Sequence, residues 1–242
     1  MRQRKAKDLD KRLAQCSGYM VNVEDGSLQA FCESGGNLYV EIGCGKGQFI
    51  ITKAAADPDS QFLAIEGQET VILRAAEKAM CVAGETDWPE NVPGEERMEG
   101  VSAALNNLKF VNCFVEHMED LFHANQLSGI YLNFSDPWPK ARHAKRRLTY
   151  RDRLADYAWA LKPGGFIEIK TDNDDLFAFT MEEIAELGTL LRAEEVTTDL
   201  HGAQHHYAAS AITTEYEDKF VAKGKTINYV RVVVDKKSEE KE

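Results

Sequence analysis

Two strand-like apolar runs end in residues suited to holding a small molecule. The run Leu38 to Ile42 leads into Glu41-Ile42-Gly43-Cys44-Gly45-Lys46-Gly47, and the run Phe62 to Ile65 closes on Glu66. Glycines at such a turn put no Cβ between backbone and ligand and permit positive φ, so the turn can receive a nucleotide-like cofactor. The spacing is G-x-G-x-G, not the G-x-G-x-x-G that seats a dinucleotide pyrophosphate on a helix N-terminus. Glu41 stands two residues before the first glycine, where it would repel a pyrophosphate but suit a cation. Glu66 falls where an acid accepts hydrogen bonds from two ribose hydroxyls. A ribose, no pyrophosphate and acidic surroundings together point to S-adenosylmethionine and favour a methyltransferase over a dehydrogenase. Each feature taken singly also occurs in turns that are purely structural.

A third run, Ile130 to Phe134, ends in Ser135-Asp136-Pro137-Trp138-Pro139-Lys140-Ala141-Arg142-His143. An acid placed there faces the crevice beyond the strand ends; its plainer use is to cap a turn before Pro137. Trp138 is either a packed aromatic or a platform for a splayed-out base, and His143 either touches phosphate or supports the fold. The chain carries 29 Lys+Arg against 40 Asp+Glu, a net charge of −11, which repels a polyanion at long range. Yet Lys140, Arg142, Lys145, Arg146, Arg147, Arg151 and Arg153 crowd one stretch opposed only by Asp152. Such a run is usually a solvated face; beside Asp136 it reads as a phosphate-binding patch, with Arg142, Lys145, Arg146 and Arg147 as the contacts. His205-His206 lacks a partner at metal-ligand spacing and reads as a solvated loop, and the five cysteines contain no C-x-x-C pair, so no metal site is expected. The cysteines read as reduced, packed thiols.

Positioning these residues together takes a regular frame. Strand-like runs lie at Leu38 to Ile42, Phe62 to Ile65, Leu108 to Val111, Ile130 to Phe134, Phe166 to Ile169 and Tyr229 to Val234. Between most of them, Gln48 to Ala56, Glu69 to Cys81, Tyr150 to Leu161 and Leu176 to Leu187 have helical spacing. This alternation predicts right-handed βαβ units and an α/β fold with a doubly wound, mostly parallel sheet. At 242 residues the chain reads as one domain, 1–242. Three segments stand outside its core: a mobile basic N-terminal arm (about 1–20), a Gly-, Pro- and acid-rich surface insertion (about 82–100) and a frayed charged tail (about 236–242). With no run of about 18 apolar residues and no secretory signal, a cytoplasmic protein with no membrane partner is expected.

The segment SDPWPKARHAKRRL, taken with EIGCGKG, the IKTDN of Ile169 to Asn173 and the TEYEDKF of Thr214 to Phe220, resembles the bacterial tRNA (guanine-N7)-methyltransferase family over roughly residues 35 to 235. The resemblance implies a Rossmann-like class I methyltransferase fold using S-adenosylmethionine. The reaction it implies is methylation at N7 of a guanosine in tRNA, the variable-loop guanosine; either a monomer or a homodimer is compatible with the sequence. It makes Glu41 and Glu66 cofactor ligands beside Gly43 and Gly45, and gives Asp136 the catalytic position bordering the cofactor. Lys140, Asp172, Thr214, Glu215, Tyr216 and Glu217 fall on the substrate site. One position departs from the pattern: after the third strand the family usually has an acid, whereas this chain has Phe114. A ring there can pack on the purine while a backbone N–H replaces the lost side-chain acceptor; core packing is the alternative.

Guanine N7 carries an exposed lone pair and no proton, so attack on a sulfonium methyl needs positioning more than a base. Aligning N7 with the methyl and sulfur removes an entropic barrier worth up to roughly 7–11 kcal/mol. Asp136 could orient the purine through N1–H and the exocyclic amine, with Asp172 and Glu217 as alternative holders. The nearest competing activity is amino-group methylation of adenine or cytosine, whose strand-end motif has a second proline that Asp136-Pro137-Trp138 lacks. A non-catalytic tRNA-binding protein would have no need of the glycine turn, Glu66 and Asp136, and a nicotinamide oxidoreductase would need the missing glycine spacing.

Overall fold

The computed structural model describes residues 6–88, 97–98, 100–202 and 206–235. They fall into two compact units, residues 1–115 with 212–215, and residues 116–211 with 216–242.

The first unit runs α1 (Leu9–Gln15), α2 (Ser27–Cys32), β1 (Leu38–Ile42), α3 (Gln48–Ala56), β2 (Gln61–Ile65), α4 (Glu69–Val82) and β3 (Leu108–Val111). Its strands are parallel, with Leu38 opposite Gln61 and Phe62 opposite Leu108. Val40, Leu63, Ala64 and Phe110 are fully buried, as strands covered by helices on both faces require, which is why they read as unbroken apolar runs. The basic arm departs from expectation. Leu9 and Cys16 are buried, Leu13 packs against the same core, and Arg12 donates through Nε and Nη2 to Glu77 on α4, both at 2.7 Å. Charge in the composition conceals an apolar stripe of Leu9, Leu13 and Cys16, so the arm is helical over Leu9–Gln15. Residues 1–5, most of the insertion (89–96 and 99) and the tail from 236 lie outside the described residues.

The second unit holds β4 (Leu127–Asn133), α5 (Arg151–Ala160), β5 (Leu161–Thr171), α6 (Asp174–Glu186), β6 (Leu191–Thr197) and β7 (Asn228–Val234), with α7 (Glu215–Val221) preceding β7. Strand β5 is parallel to β4 and antiparallel to β7, and β7 is antiparallel to β6. The strands are ordered β3-β2-β1 in the first unit and β4-β5-β7-β6 in the second, the mostly parallel α/β arrangement that the alternation predicts. Strand β4 stops at Asn133 because Phe134 turns to φ 53°. No helix among the described residues is long and apolar enough to cross a membrane.

Candidate active site

In the first unit the turn after β1 folds back over the end of β2, with Gly43 N and Cys44 N both donating to the Ile65 carbonyl at 2.8 and 3.0 Å. Gly43 and Gly45 have φ of 79° and 57°, and a Cβ on either would meet no atom within 4 Å. The turn therefore presents bare backbone to open space. Gly47 does different work, since a Cβ there would press on Ala75 of α4 at 2.9 Å. The Glu66 carboxylate is anchored beside the turn, accepting from Gly45 N at 3.2 Å and Gln68 N at 2.9 Å. Asn112 Nδ2 holds the Glu66 carbonyl at 2.7 Å.

Glu41 lies beneath the turn, only 1% exposed. The Cys44 thiol registers the local field: burial pushes its pKa well above the ordinary value, and the charges of Glu41, Glu66 and Glu215 push it further. An open backbone turn ringed by carboxylates suits a cationic, ribose-bearing ligand and disfavours a pyrophosphate. Glu215 is ion-paired with the buried Lys78, and Thr214 beside it is half-buried. Phe114 is not a core residue. Its side chain is 71% exposed and its ring lies over Gly67, where any Cβ would run into it.

In the second unit Asp136 sits exposed on the turn after β4, and Phe134 at the start of that turn donates its N–H to the Lys170 carbonyl at 2.8 Å. Lys140 is exposed and leads into a 3-10 turn, Ala141–Arg146. Arg142 donates to His143 at 3.3 Å, Lys145 lies 5.8 Å from the Tyr150 ring, and Arg146 lies 5.0 Å from the Trp138 ring; all three cations face solvent. Trp138 packs edge-on against His143, with centroids 5.6 Å apart. Arg147 differs from the phosphate contact expected of it: it is half-buried and donates to the carbonyls of Pro137 and Trp138.

Asp172, half-buried after β5, accepts from the Tyr216 hydroxyl at 3.3 Å. Burial and the Asp172 charge push the Tyr216 hydroxyl up, so it stays a donor at neutral pH. The Tyr216 ring is 42% exposed, stacks on Phe220 at 4.2 Å and tilts against Phe134 at 4.9 Å. Glu217 also departs from the expected role of holding a base. It is 0% exposed, with Lys170 Nζ at 3.1 and 3.2 Å from its two oxygens and His201 Nε2 at 2.7 Å from Oε1. Helix α7 turns this residue inward while its neighbour Tyr216 points out, and its oxygens are already engaged. His206 is exposed, and His205 lies outside the described residues.

Residues 36–230 match a family model described as "Putative methyltransferase". Among curated relatives, a tRNA (guanine-N(7)-)-methyltransferase of Mesoplasma florum is 41% identical over 79% of this chain and 78% of its own. One of Clostridioides difficile, bearing the same name, is 36% identical over 94% of this chain and 96% of its own. The chain belongs to the tRNA (guanine-N7)-methyltransferase family. Among solved structures, the 16S rRNA methyltransferase KamB superposes with a TM-score of 0.60 at 10% identity, covering 88% of this chain and 95% of that one. An antibiotic-related methyltransferase does so at 0.56 and 16%, covering 88% and 94%. These likenesses carry the Rossmann-like class I fold.

Within this methyltransferase, sequence reasoning missed the partners of its acids. Lys170 carried one readable signal, a cation at the end of the strand-like run IEIK, which once buried calls for a counter-charge. His201, Lys78 and Phe220 carried none, because each meets its partner only through the tertiary fold.

Proposed function

We propose that this chain transfers a methyl group from S-adenosylmethionine to N7 of the variable-loop guanosine of tRNA, acting in the cytoplasm. The observation that carries this reading is the open glycine turn ringed by Glu41, Glu66 and Glu215, in a chain whose curated relatives are named tRNA (guanine-N(7)-)-methyltransferase.

S-adenosylmethionine, when bound, supplies a methyl group on a positively charged sulfur. Glu66 accepts from its ribose hydroxyls, and Glu41 with the Gly43 and Gly45 backbone receives its cationic end. Phe114 gives the purine a face to pack on. On the acceptor side, the Asp136 carboxylate accepts from guanine N1–H and the exocyclic amine and offsets the positive charge that develops on the purine. N7 has no proton to lose, so none of these residues has to act as a base. Lys140, Asp172, Thr214 and Tyr216 line the substrate side, and Arg142, Lys145 and Arg146 neutralise tRNA phosphates.

The test is transfer of tritiated methyl from S-adenosylmethionine to unmodified bulk tRNA, followed by borohydride and aniline cleavage, which is selective for N7-methylguanosine. Label with cleavage in the variable loop is the expected result. Label without cleavage would move the acceptor to an amino group, and cofactor binding without label would leave a non-catalytic tRNA-binding protein.

A further inference from the structure

Arg147 belongs to a basic run, yet its guanidinium is turned toward the protein. Nε donates to the Pro137 carbonyl at 3.0 Å and Nη2 to the Trp138 carbonyl at 3.1 Å. The guanidinium carbon lies 4.1 Å from the centroid of the Phe179 ring on α6. The rigid fork of guanidinium donors matches two successive carbonyls in a way that a single ammonium cannot.

The segment held in this grip is one that does not hold itself. Phe134 at φ 53° and Trp138 at φ 39° both occupy the left-handed region, an outlier conformation for bulky side chains that persists only where the surroundings enforce it. Asp136 lies between them, exposed and with no hydrogen-bond partner among the described residues. Its carboxylate is therefore aimed by the backbone of the turn. That backbone is fixed at its start by the Phe134 N–H to Lys170 carbonyl bond of 2.8 Å, and at its end by Arg147. Arg147 is itself placed by its own N–H, which donates to the Ala144 carbonyl at 3.0 Å and closes the 3-10 turn.

We infer that Arg147 is a positioning residue for the proposed reaction: by gripping Pro137 and Trp138 and lying on Phe179 it fixes the turn that aims Asp136, and it does not contact tRNA phosphate. The inference rests on the reading of Asp136 as the group that orients the base. It separates cleanly from the alternative for an arginine in this run. A phosphate contact would lower the slope of log affinity against log salt by about 0.7–0.9 when removed, and would be largely preserved by lysine.

The experiment uses the full chain with Arg147→Lys, Arg147→Ala and Phe179→Leu. It measures kcat and KM with tRNA, the salt slope of tRNA binding, and the 19F resonance of Trp138 in protein labelled with 5-fluorotryptophan. Arg147→Lys should lower kcat by about 10- to 100-fold with KM for tRNA within about twofold, because the misplaced carboxylate acts in the transition state. The salt slope should not change, and the Trp138 resonance should move or broaden. Phe179→Leu should give a smaller loss in the same direction, which keeps the test open if Arg147→Ala fails to fold. Wild-type kcat in Arg147→Lys, a reduced salt slope, or an unmoved Trp138 resonance would each overturn the inference. Asp136→Ala is measured in parallel: full turnover there overturns the reading of Asp136 and the role of Arg147 with it, whereas an unmoved resonance overturns the clamp alone.

Discussion

Replacing Glu217 with Gln separates two roles for a residue that the motif places on the substrate side and the structure buries. Glu217 is 0% and Lys170 1% exposed, with Nζ within 3.2 Å of both carboxylate oxygens. Taking the charge off one member leaves the other in the interior without its counter-ion, a change that costs about 3–5 kcal/mol. In a chain of this length each kcal/mol lowers Tm by about 2–4 °C, so Glu217→Gln should melt about 6–20 °C below wild type. Thermal unfolding followed by circular dichroism reads the shift. Lys170→Met combined with Glu217→Leu should recover most of it, since well-packed apolar residues often replace a buried pair without loss. A Tm within about 2 °C of wild type, together with a sharp fall in tRNA turnover, would refute the reasoning and return Glu217 to the substrate.

Three further outcomes follow from the same geometry. Gly67→Ala should push the Phe114 ring aside and weaken S-adenosylmethionine by up to about tenfold in calorimetric titration, with little effect on stability because the ring is exposed; unchanged affinity would take Phe114 out of the cofactor site. Alanine at Arg142, Lys145 and Arg146 together should reduce the salt slope of tRNA binding by about 2–3, and an unchanged slope would remove the phosphate patch. The Arg151 hydrogen bond holds the Glu183 carboxyl below its ordinary value of 4.5, against the opposing effect of burial. A depressed carboxylate stabilises the fold above the unfolded value and loses that contribution as pH falls through the folded one. The stability advantage of wild type over Glu183→Gln in urea titrations should therefore shrink as pH drops below the ordinary value, and a constant advantage would contradict it.

Strands buried on both faces were legible because they are continuous apolar runs: β1 and β3 lie where the sequence places them. Strand β6 was not, since Leu191–Thr197 buries only Leu191 and spends its other positions on Arg192, Glu194, Glu195 and small or half-exposed residues. An edge strand defended by charge has no apolar alternation to detect. Helix α7 was visible only as a motif, being seven residues long with a charged composition. At the site, the glycine turn with Glu41, and Glu66 at the end of the second run, could be read because each closes a strand legible by itself. The inward turn of Arg147 and the burial of Glu217 could not, because Phe179 and Lys170 stand 32 and 47 residues away in sequence.

The buried Cys44 thiol sits inside the turn proposed to hold an alkylating agent. A thiolate there would compete with the incoming purine for the methyl group, and thiolate is the reactive form of cysteine. The carboxylates that draw a sulfonium toward the turn also raise the cost of ionising that sulfur. Attraction of the donor and silencing of the wrong acceptor thus come from one arrangement of charge, which gives the turn a built-in chemoselectivity against methylating its own cradle.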